Sequence, residues 1–343
     1  MLTAVALILA FASIVLVFCF LMIGKNVVPV ISEGNEVLEA GRKRGYKTYL
    51  IAGTDTTSNN TDVLMLASLD TVSGEVKILQ IPRDTYVNRD VTGYTSVKRV
   101  NGIYAAEYAK AASAGLSQSN CKKRAMEALC SVLEKAFCTR IDEYVVMNTY
   151  AFRNIVDLVG GVWFDVPYDM SYEDPYQNLY IDLKQGYQLL DGEAAEQLIR
   201  FREPVRADIG RISIRAEFIK AMAKQVKNNL DVSAVVGIVT TVLPRLTTSL
   251  SLGDAIECAR AAFSVSLDNI EIKTLTGSSV WDVSTASWSA SYYLNKAAAL
   301  DDINKFANVY TKDITIENFD ASGLFCDKHN GNAEAYYKRE DLQ

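Results

Sequence analysis

The first 24 residues of this 343-residue chain contain no charged side chain, and charge begins only at Lys25. About 20 consecutive apolar residues are enough to cross a bilayer as a helix. A cleaved secretory signal is the alternative, but the run is longer than the roughly 7–15 apolar residues of such signals, and no clear small-residue cleavage site follows it. The run therefore predicts one N-terminal transmembrane helix over residues 1–24 that anchors the rest of the chain at a membrane.

The rest of the chain divides by composition into a polar connector, a globular domain and a polar C-terminal tail. These occupy residues 25–45, 46–310 and 311–343. A short juxtamembrane helix is expected around Val37–Arg44. Its three consecutive basic residues conflict with the positive-inside rule, which places such residues on the cytoplasmic side of an anchor. A native basic leader ahead of Met1 would remove that conflict.

The charge balance limits the partners of the chain. Its formal net charge is −6 and its isoelectric point is near 5.1. Nucleic-acid affinity comes mainly from neutralised phosphates, so an acidic chain of this kind has no global reason to bind nucleic acid. Any anionic ligand must be met by a local cluster of basic residues.

Patterns typical of strands and helices alternate from residue 46 onward. Strands are predicted at 46–53, Val63–Asp70, Val76–Pro82, 143–148, 162–167 and Ile270–Leu275, and helices at Ile103–Ala112, Lys122–Phe137, 151–159 and from about Asp208. The turn sequence TVSG joins the second and third strands as an antiparallel pair. The acidic, tyrosine-rich stretch Tyr168–Tyr180 is expected to be a loop. This order predicts an α/β fold, a mixed α/β sandwich rather than a purely parallel Rossmann sheet.

Cysteine and histidine exclude several kinds of chemistry. Beyond the predicted anchor there are five cysteines without a C-x-x-C pair, which argues against structural zinc. Cys130 falls on the apolar stripe of a predicted helix and is interpreted as a small core residue. The single histidine, His329, lies in the polar tail, so histidine-based nucleophile activation is excluded. Carboxylates, arginines and a hard metal ion remain as the available chemistry.

Two aspartates flank the polar loop between the first two predicted strands. Asp55 follows the first strand and Asp62 begins the second. Strand ends are where ligands bind in α/β proteins, and two nearby carboxylates suit Mg²⁺ completed by substrate phosphates. The alternative is that both residues only form turns, in which aspartate is common.

Arginines are concentrated in a short window of the sequence. They are Arg200, Arg202, Arg206, Arg211 and Arg215. If the segment LIRFR is extended, Arg200 and Arg202 share one face, and Arg211 and Arg215 are an i, i+4 pair near a helix N-terminus. With Arg83 and Arg99 they predict a cradle for a phosphate-bearing ligand. Surface ion pairs with Glu196, Glu203 and Asp208 are the alternative.

Seven segments in order resemble the LytR-CpsA-Psr family of membrane-anchored phosphotransferases of the bacterial envelope. They are GTD (53–55), TDVLMLASLD (61–70), ILQIPRDTYV (78–87), RVNGIYAAEY (99–108), NIVDLVGGVWFDVP (154–167), LLDGEAAEQLIRFRE (189–203) and DIGRI (208–212). The resemblance implies an α/β/α sandwich with a mixed central sheet and an apolar tunnel for a polyprenyl chain.

The resemblance also implies roles for individual residues. Asp55 and Asp62 match the aspartates that hold Mg²⁺ on a pyrophosphate, and the pyrophosphate-binding arginines match Arg83, Arg200, Arg202 and Arg211. Arg99 and Arg215 join this set on charge and position. The predicted catalytic residues are Asp62, Arg83, Arg200 and Arg202. Asp62 is the candidate to orient or deprotonate the acceptor hydroxyl, with Asp84 and Asp208 as substitutes.

The implied reaction moves an envelope glycopolymer, such as a teichoic acid, capsule or secondary wall polysaccharide, from a polyprenyl-pyrophosphate carrier to a peptidoglycan sugar hydroxyl. The expected location is the bacterial cell membrane, with one membrane pass and an extracytoplasmic catalytic domain. A non-catalytic polyprenyl-pyrophosphate-binding or regulatory scaffold and a lipid pyrophosphate hydrolase are the rival functions. Two departures from the family pattern bear on the choice. Asn60 and Val63 stand where arginine and threonine are usual, and Ile214 and Arg215 where an Arg-Gln pair is usual.

Overall fold

The computed structural model describes residues 41–54, 59–174, 179–201, 209–262, 266–282, 289–317, 319 and 323–325. The predicted anchor at residues 1–24 lies outside these ranges, as do Asp55, Arg202, Asp208 and His329. Within the described ranges, no helix combines the length and the apolar content needed to cross a membrane.

Strands and helices alternate along the described chain. The strands are β1 Tyr46–Thr54, β2 Thr61–Asp70, β3 Glu75–Ile81, β4 Glu143–Met147, β5 Val162–Val166, β6 Met170–Asp174, β7 Leu179–Leu183, β8 Gly186–Leu190, β9 Thr247–Thr248, β10 Ile270–Thr274, β11 Gly277–Asp282 and β12 Ser289–Leu294. The helices are α1 Asn101–Ser113, α2 Gln118–Phe137, α3 Thr149–Leu158, α4 Gly192–Arg200, α5 Ile209–Asn229, α6 Val232–Val242, α7 Leu252–Ala262 and α8 Lys296–Phe306. Single helical turns lie at Arg89–Thr92, Leu243–Arg245 and Leu267–Asn269.

A mixed sheet forms the centre of the domain, in the order β10-β3-β2-β1-β4-β9. Strand β2 runs antiparallel to both of its neighbours, whereas β4 is parallel to β1 and β10 is parallel to β3. The register from Leu64 opposite Ile81 to Asp70 opposite Glu75 confirms the predicted antiparallel pair. The mixed sheet is thus confirmed, and it rules out a purely parallel arrangement.

Each face of the sheet is covered by its own layer of helices. Tyr49 and Ile51 of β1 point into a core built with α3, α4, α5 and α6, and Leu50 and Ala52 point into a core built with α1, α2 and α8. This alternation follows from the two-residue period of a strand, and both faces are apolar because both are buried. The predicted α/β/α sandwich is therefore confirmed.

Helix α2 illustrates how the sequence pattern produces one of these layers. Ser117 caps its N-terminus by accepting a hydrogen bond from the Asn120 N–H, and Cys138 ends it in a left-handed conformation. The predicted apolar stripe, Met126, Leu129, Cys130, Leu133 and Phe137, is entirely buried. Burial raises the pKa of the Cys130 thiol, which is consistent with a core residue and not with a reactive one.

The stretch Tyr168–Tyr180, predicted as a loop, contains strand β6 and the start of β7, which pair as a hairpin. Met170 in β6 lies opposite Leu183 in β7, and Tyr172 lies opposite Ile181. The loop prediction gave weight to the acidic residues. Alternate positions of β7 (Leu179, Ile181 and Leu183) are nevertheless apolar and buried, and Met170 of β6 is buried opposite Leu183, so one face of the hairpin packs on the core.

Contacts with the domain continue beyond both ends of the range 46–310. Residues 41–44 are not helical. Arg42 instead pairs with the Asp142 carboxylate, and the Lys43 N–H donates to the Val309 carbonyl. Beyond residue 310, Ile314, Phe319 and Leu324 belong to the core on the α1, α2 and α8 side. A few apolar or paired side chains thus hold these otherwise polar segments against the domain.

Candidate functional site at the strand ends

One edge of the central sheet gathers the residues that the sequence predicted for the site. Because β2 runs against its neighbours, β1, β3 and β4 end at the edge where β2 begins. Asp62 is the second residue of β2, and Arg83 lies two residues after the end of β3. Asp55, which follows β1, lies outside the described residues. We call this edge the strand-end edge.

Asp62 and Arg83 form a buried ion pair at the strand-end edge. The Arg83 Nη1 lies 2.9 Å from the Asp62 Oδ1, and the Asp62 side chain is 5% exposed. A buried carboxylate is tolerated when a charged hydrogen-bonding partner lies this close. The ion pair holds the Asp62 carboxylate in one place at the start of β2.

Asp84 extends this pair into a network of alternating charges. Its Oδ1 accepts from the Arg99 Nη1 at 3.1 Å, and its Oδ2 lies 3.6 Å from the Arg83 Nε. The backbone is held as well, since the Asn101 N–H donates to the Arg83 carbonyl and the Val100 N–H donates to the Thr85 carbonyl. The structure thus brings Asp62, Arg83 and Arg99 together, as the cradle hypothesis requires, and adds Asp84 as the carboxylate between the two arginines.

A second charged cluster lies between helices α3 and α4. Glu196, only 1% exposed, accepts from the Arg200 Nη1 at 2.5 Å with one carboxylate oxygen and pairs with the Arg153 Nε through the other. The Arg200 side chain is 8% exposed, and its buried Nε has no hydrogen-bond partner among the described residues. Two arginines on one carboxylate leave this cluster with a net positive charge.

Arg200 does not lie on an extended segment, and that part of the sequence interpretation is wrong. It is the last residue of α4, which is capped at its start by the Asp191 side chain, and the extended conformation begins at Phe201. The i, i+2 argument therefore does not relate Arg200 to Arg202, which lies outside the described residues. The ion pair of Arg200 with Glu196 that the alternative named is present, but it is buried and does not lie on the surface.

The long helix predicted from about Asp208 begins at Ile209 as α5, and it supplies the remaining arginines. Arg211 is its third residue. Arg215 is buried, and its Nη2 donates to the Ile199 carbonyl at 3.5 Å, next to Arg200. Arg200 and Arg215 are therefore brought together by the packing of α4 against α5.

Helix α3 relates the second cluster to the strand-end edge. Met147, the last residue of β4, lies opposite Gly53 of β1, and α3 begins two residues later. Arg153 is in the second turn of this helix, so the cluster that it shares with Glu196 is built on a helix that starts at the strand-end edge. Sequence reasoning missed Arg153. The i, i+4 spacing of Glu196 and Arg200 was visible, but their contact with α3 was not.

Replacing Gly192 by alanine should separate α3 from α4. A Cβ at this position would lie 2.4 Å from the Arg153 carbonyl oxygen and 2.7 Å from its Cα, so backbone atoms must move. We expect a loss of about 1–3 kcal/mol in the free energy of unfolding, measured by urea denaturation. Gly237→Ala is the matched control, because Gly237 is also helical but has open space around its Cβ position, and that variant should be slightly more stable. Equal stability changes in the two variants would contradict the close packing at Gly192.

The described part of the edge fits a hard cation only in part. No group of three or more potential metal-binding side chains is present among the described residues. Asp62 supplies one carboxylate, the type of ligand that Mg²⁺ takes together with waters and substrate phosphates. Its partner in the prediction, Asp55, lies outside the described ranges. The donor chemistry of Asp62 fits Mg²⁺, and the magnesium site remains a prediction.

The fold and this edge define an α/β/α protein with acidic and arginine side chains gathered where its strands end. The LytR_cpsA_psr family model matches residues 28–308, and the chain belongs to this family.

Individual relatives are distant in sequence. TagV of Bacillus subtilis, named as a polyisoprenyl-teichoic acid–peptidoglycan teichoic acid transferase, is 23% identical over 257 residues, which are 72% of this chain and 60% of TagV. TagU of Bacillus cereus, named in the same way, is 24% identical over 278 residues, 80% of this chain and 82% of TagU. The chain spans about 60% of the length of TagV and of a similar uncharacterized protein from Staphylococcus aureus.

Solved structures share the fold. The crystal structure of Bacillus subtilis TagV aligns with a TM-score of 0.58 at 20% identity, over 76% of this chain and 95% of that one. Protein gbs0355 from Streptococcus agalactiae aligns with a TM-score of 0.63 at 18% identity, over 90% of this chain and all of that one. At these identities the likeness establishes the fold alone.

Proposed function

We propose that this protein is an Mg²⁺-dependent phosphotransferase that attaches an envelope glycopolymer from a polyprenyl-pyrophosphate carrier to a peptidoglycan sugar hydroxyl. The observation that carries the proposal is the buried Asp62–Arg83 pair at the strand-end edge, continued by Asp84 and Arg99. Membership of the LytR-CpsA-Psr family and the transferase names of TagV and TagU support it. The proposal includes attachment to the bacterial cell membrane through residues 1–24, with the domain outside the cytoplasm.

In this proposal the arginines bind the pyrophosphate of the donor. Arg83 and Arg99 act from the strand-end edge and Arg200 and Arg215 from α4 and α5, joined by Arg202 and Arg211. Phosphoryl transfer depends mainly on positioning and on stabilising negative charge, which arginines supply without a histidine. The buried Nε of Arg200 is a donor still available for a phosphate oxygen.

Asp62 then has the role of orienting the acceptor hydroxyl and accepting its proton. Its carboxylate is fixed by Arg83 and almost fully shielded from water, so a hydroxyl that reaches it meets an acceptor that is already in place. Asp55 and Asp62 would hold Mg²⁺, which when bound neutralises charge on the pyrophosphate. The polyprenyl chain is proposed to lie along the apolar layer between the sheet and α3–α6.

A non-catalytic polyprenyl-pyrophosphate-binding scaffold is the second candidate. The engagement of Arg200 by the buried carboxylate of Glu196 favours it, because part of the charge predicted for the ligand is already neutralised. A transfer assay separates the candidates. The full chain is incubated with a short lipid-pyrophosphate-linked glycan, Mg²⁺ and peptidoglycan fragments. A phosphodiester-linked product supports the transferase, binding without turnover supports the scaffold, and released glycan phosphate without linkage supports a hydrolase.

Removal of divalent cations should abolish transfer. With EDTA the product should fall by at least about a hundredfold, because charge on the pyrophosphate loses its main counter-charge. Added Mg²⁺ in excess of the chelator should restore it, and the thermal unfolding midpoint measured in parallel distinguishes loss of the fold from loss of the ion. Full transfer in EDTA would remove Mg²⁺ from the proposal and leave the arginines as the only source of positive charge.

A further inference from the structure

Two exposed aromatic rings stack on the outer face of the two-stranded sheet formed by β5 and β8. The ring centroids of Trp163 and Tyr187 lie 5.3 Å apart, with 17° between the ring planes. Trp163 is 46% exposed and Tyr187 is 70% exposed. Leu189 lies opposite Trp163 and Asp165 lies opposite Tyr187, so these four side chains share the outer face. We call this face the aromatic platform.

The platform is a rigid surface, since the opposite face of the β5–β8 sheet is part of the core. Val162, Phe164 and Val166 of β5 are buried there, and Phe164 packs edge-on against Phe218 of α5. These large aromatic side chains are exposed to solvent side by side, and no element of the described chain covers them. Such a group is typical of a binding surface. Stacking fixes both rings before a ligand arrives, which lowers the entropy lost on binding.

Charge around the platform indicates which ligand it can take. Residues 162–190 contain five carboxylates and one lysine, and the lysine already lies against Asp169 and Asp182. With Asp165 on the platform itself and the segment acidic as a whole, electrostatic repulsion disfavours a polyanionic polymer, an anionic lipid bilayer and the same segment of a second copy of the chain. An uncharged ligand with an apolar face and hydrogen-bond donors avoids this repulsion.

We propose that the aromatic platform binds an uncharged glycan, with sugar rings lying on Trp163 and Tyr187 and a sugar hydroxyl donating to the Asp165 carboxylate. The C–H bonds on one side of a pyranose ring are slightly positive, and they match the negative face of an aromatic ring. This inference rests on the proposed function, for which it supplies a contact to the neutral sugars of the acceptor strand.

The β5–β8 sheet is connected in the chain to the proposed pyrophosphate-binding arginines, which suits a platform for the acceptor glycan. Strand β8 leads through Asp191 directly into α4, whose last residue is Arg200. A nine-residue helix is about 13 Å long at 1.5 Å per residue, a length that a few sugar units span. The platform and the arginine of the second cluster are thus built on one continuous unit of the chain.

Titration of the full chain in nanodiscs with an N-acetylglucosamine tetramer tests the platform directly. Calorimetry should detect binding that falls about tenfold in Trp163→Ala and in Tyr187→Ala, and that is largely kept in Trp163→Phe, which retains a ring face. Tyr150→Ala is the matched control, because Tyr150 is equally exposed but lies on α3 outside the platform. A glycerol phosphate oligomer of similar length should not bind.

Three results would contradict glycan binding by the platform. The affinity for the tetramer could be unchanged in both alanine variants, the anionic oligomer could bind in preference to the tetramer, or brominated lipids in the nanodisc could quench the fluorescence of Trp163. The readout is independent of transfer. If the alanine variants selectively lose tetramer binding but the wild type shows no transfer, the platform is retained and the proposed function is rejected. If Trp163→Ala keeps full transfer with an unchanged KM for the acceptor, the proposed function is retained and the platform is rejected.

Discussion

Asp62→Asn should lower the rate of glycan transfer by at least about a hundredfold, the effect expected when a positioned acid–base group is lost. Asparagine has nearly the same shape and can still accept a hydrogen bond from Arg83, so the strand-end edge keeps its packing. It has no negative charge with which to accept a proton or to hold a cation. The measurement is the single-turnover rate of phosphodiester formation with a lipid-pyrophosphate-linked glycan.

Asp142→Asn provides the matched control for this variant. Asp142 also forms an ion pair with an arginine, Arg42, and it accepts a hydrogen bond from the Thr48 N–H. It precedes β4 and therefore lies at the sheet edge opposite Asp62. Both variants should lose stability, but only Asp62→Asn should lose transfer. Normal transfer in Asp62→Asn would show that Asp62 does not accept the proton of the acceptor hydroxyl. Asp84 and Asp208 would then be the remaining candidates for that role.

Five strands of the central sheet, β1 to β4 and β10, were predictable because their pattern is local, whereas the two-residue strand β9 was not predicted. A strand buried on both faces has a continuous apolar run, and the turn TVSG between β2 and β3 requires an antiparallel pair. The stripe of α2 follows equally from spacing. The β6–β7 hairpin was missed because four of its outward positions are polar or aromatic, and composition was given more weight than period.

The site was predictable only where strand ends bring residues together. Asp62 and Arg83 flank adjacent strands, so their proximity follows from the topology. The partnership of Arg153 with Glu196 depends on how closely α3 and α4 approach at Gly192, which no sequence pattern specifies. The end of α4 at Arg200 was missed for a similar reason, since a helix boundary depends on the packing that follows it.

Arg200→Gln should weaken binding of a polyprenyl-pyrophosphate analogue by at least about tenfold, because a charge-assisted contact to phosphate contributes roughly 1.5–3 kcal/mol. The variant also takes one of two arginine partners from Glu196. That structural loss must be separated from loss of ligand binding, because Glu196 is almost fully buried and a buried carboxylate is sensitive to its partners.

Arg153→Gln separates the structural loss from the loss of ligand binding, because it removes the other arginine from the Glu196 carboxylate. Among the described residues each variant leaves Glu196 with one arginine, so both should lower the free energy of unfolding. Arg153→Gln should lower it by less, because the Arg153 side chain is partly in solvent. Of these two arginines, Arg153 has its Nε paired with Glu196, whereas Arg200 has a buried Nε without a hydrogen-bond partner among the described residues and lies beside Arg215. Calorimetric affinity should therefore fall in Arg200→Gln and stay near the wild-type value in Arg153→Gln. Equal losses of affinity would mean that Arg200 acts only by holding α4 against α3, and the pyrophosphate would then depend on the arginines of the strand-end edge.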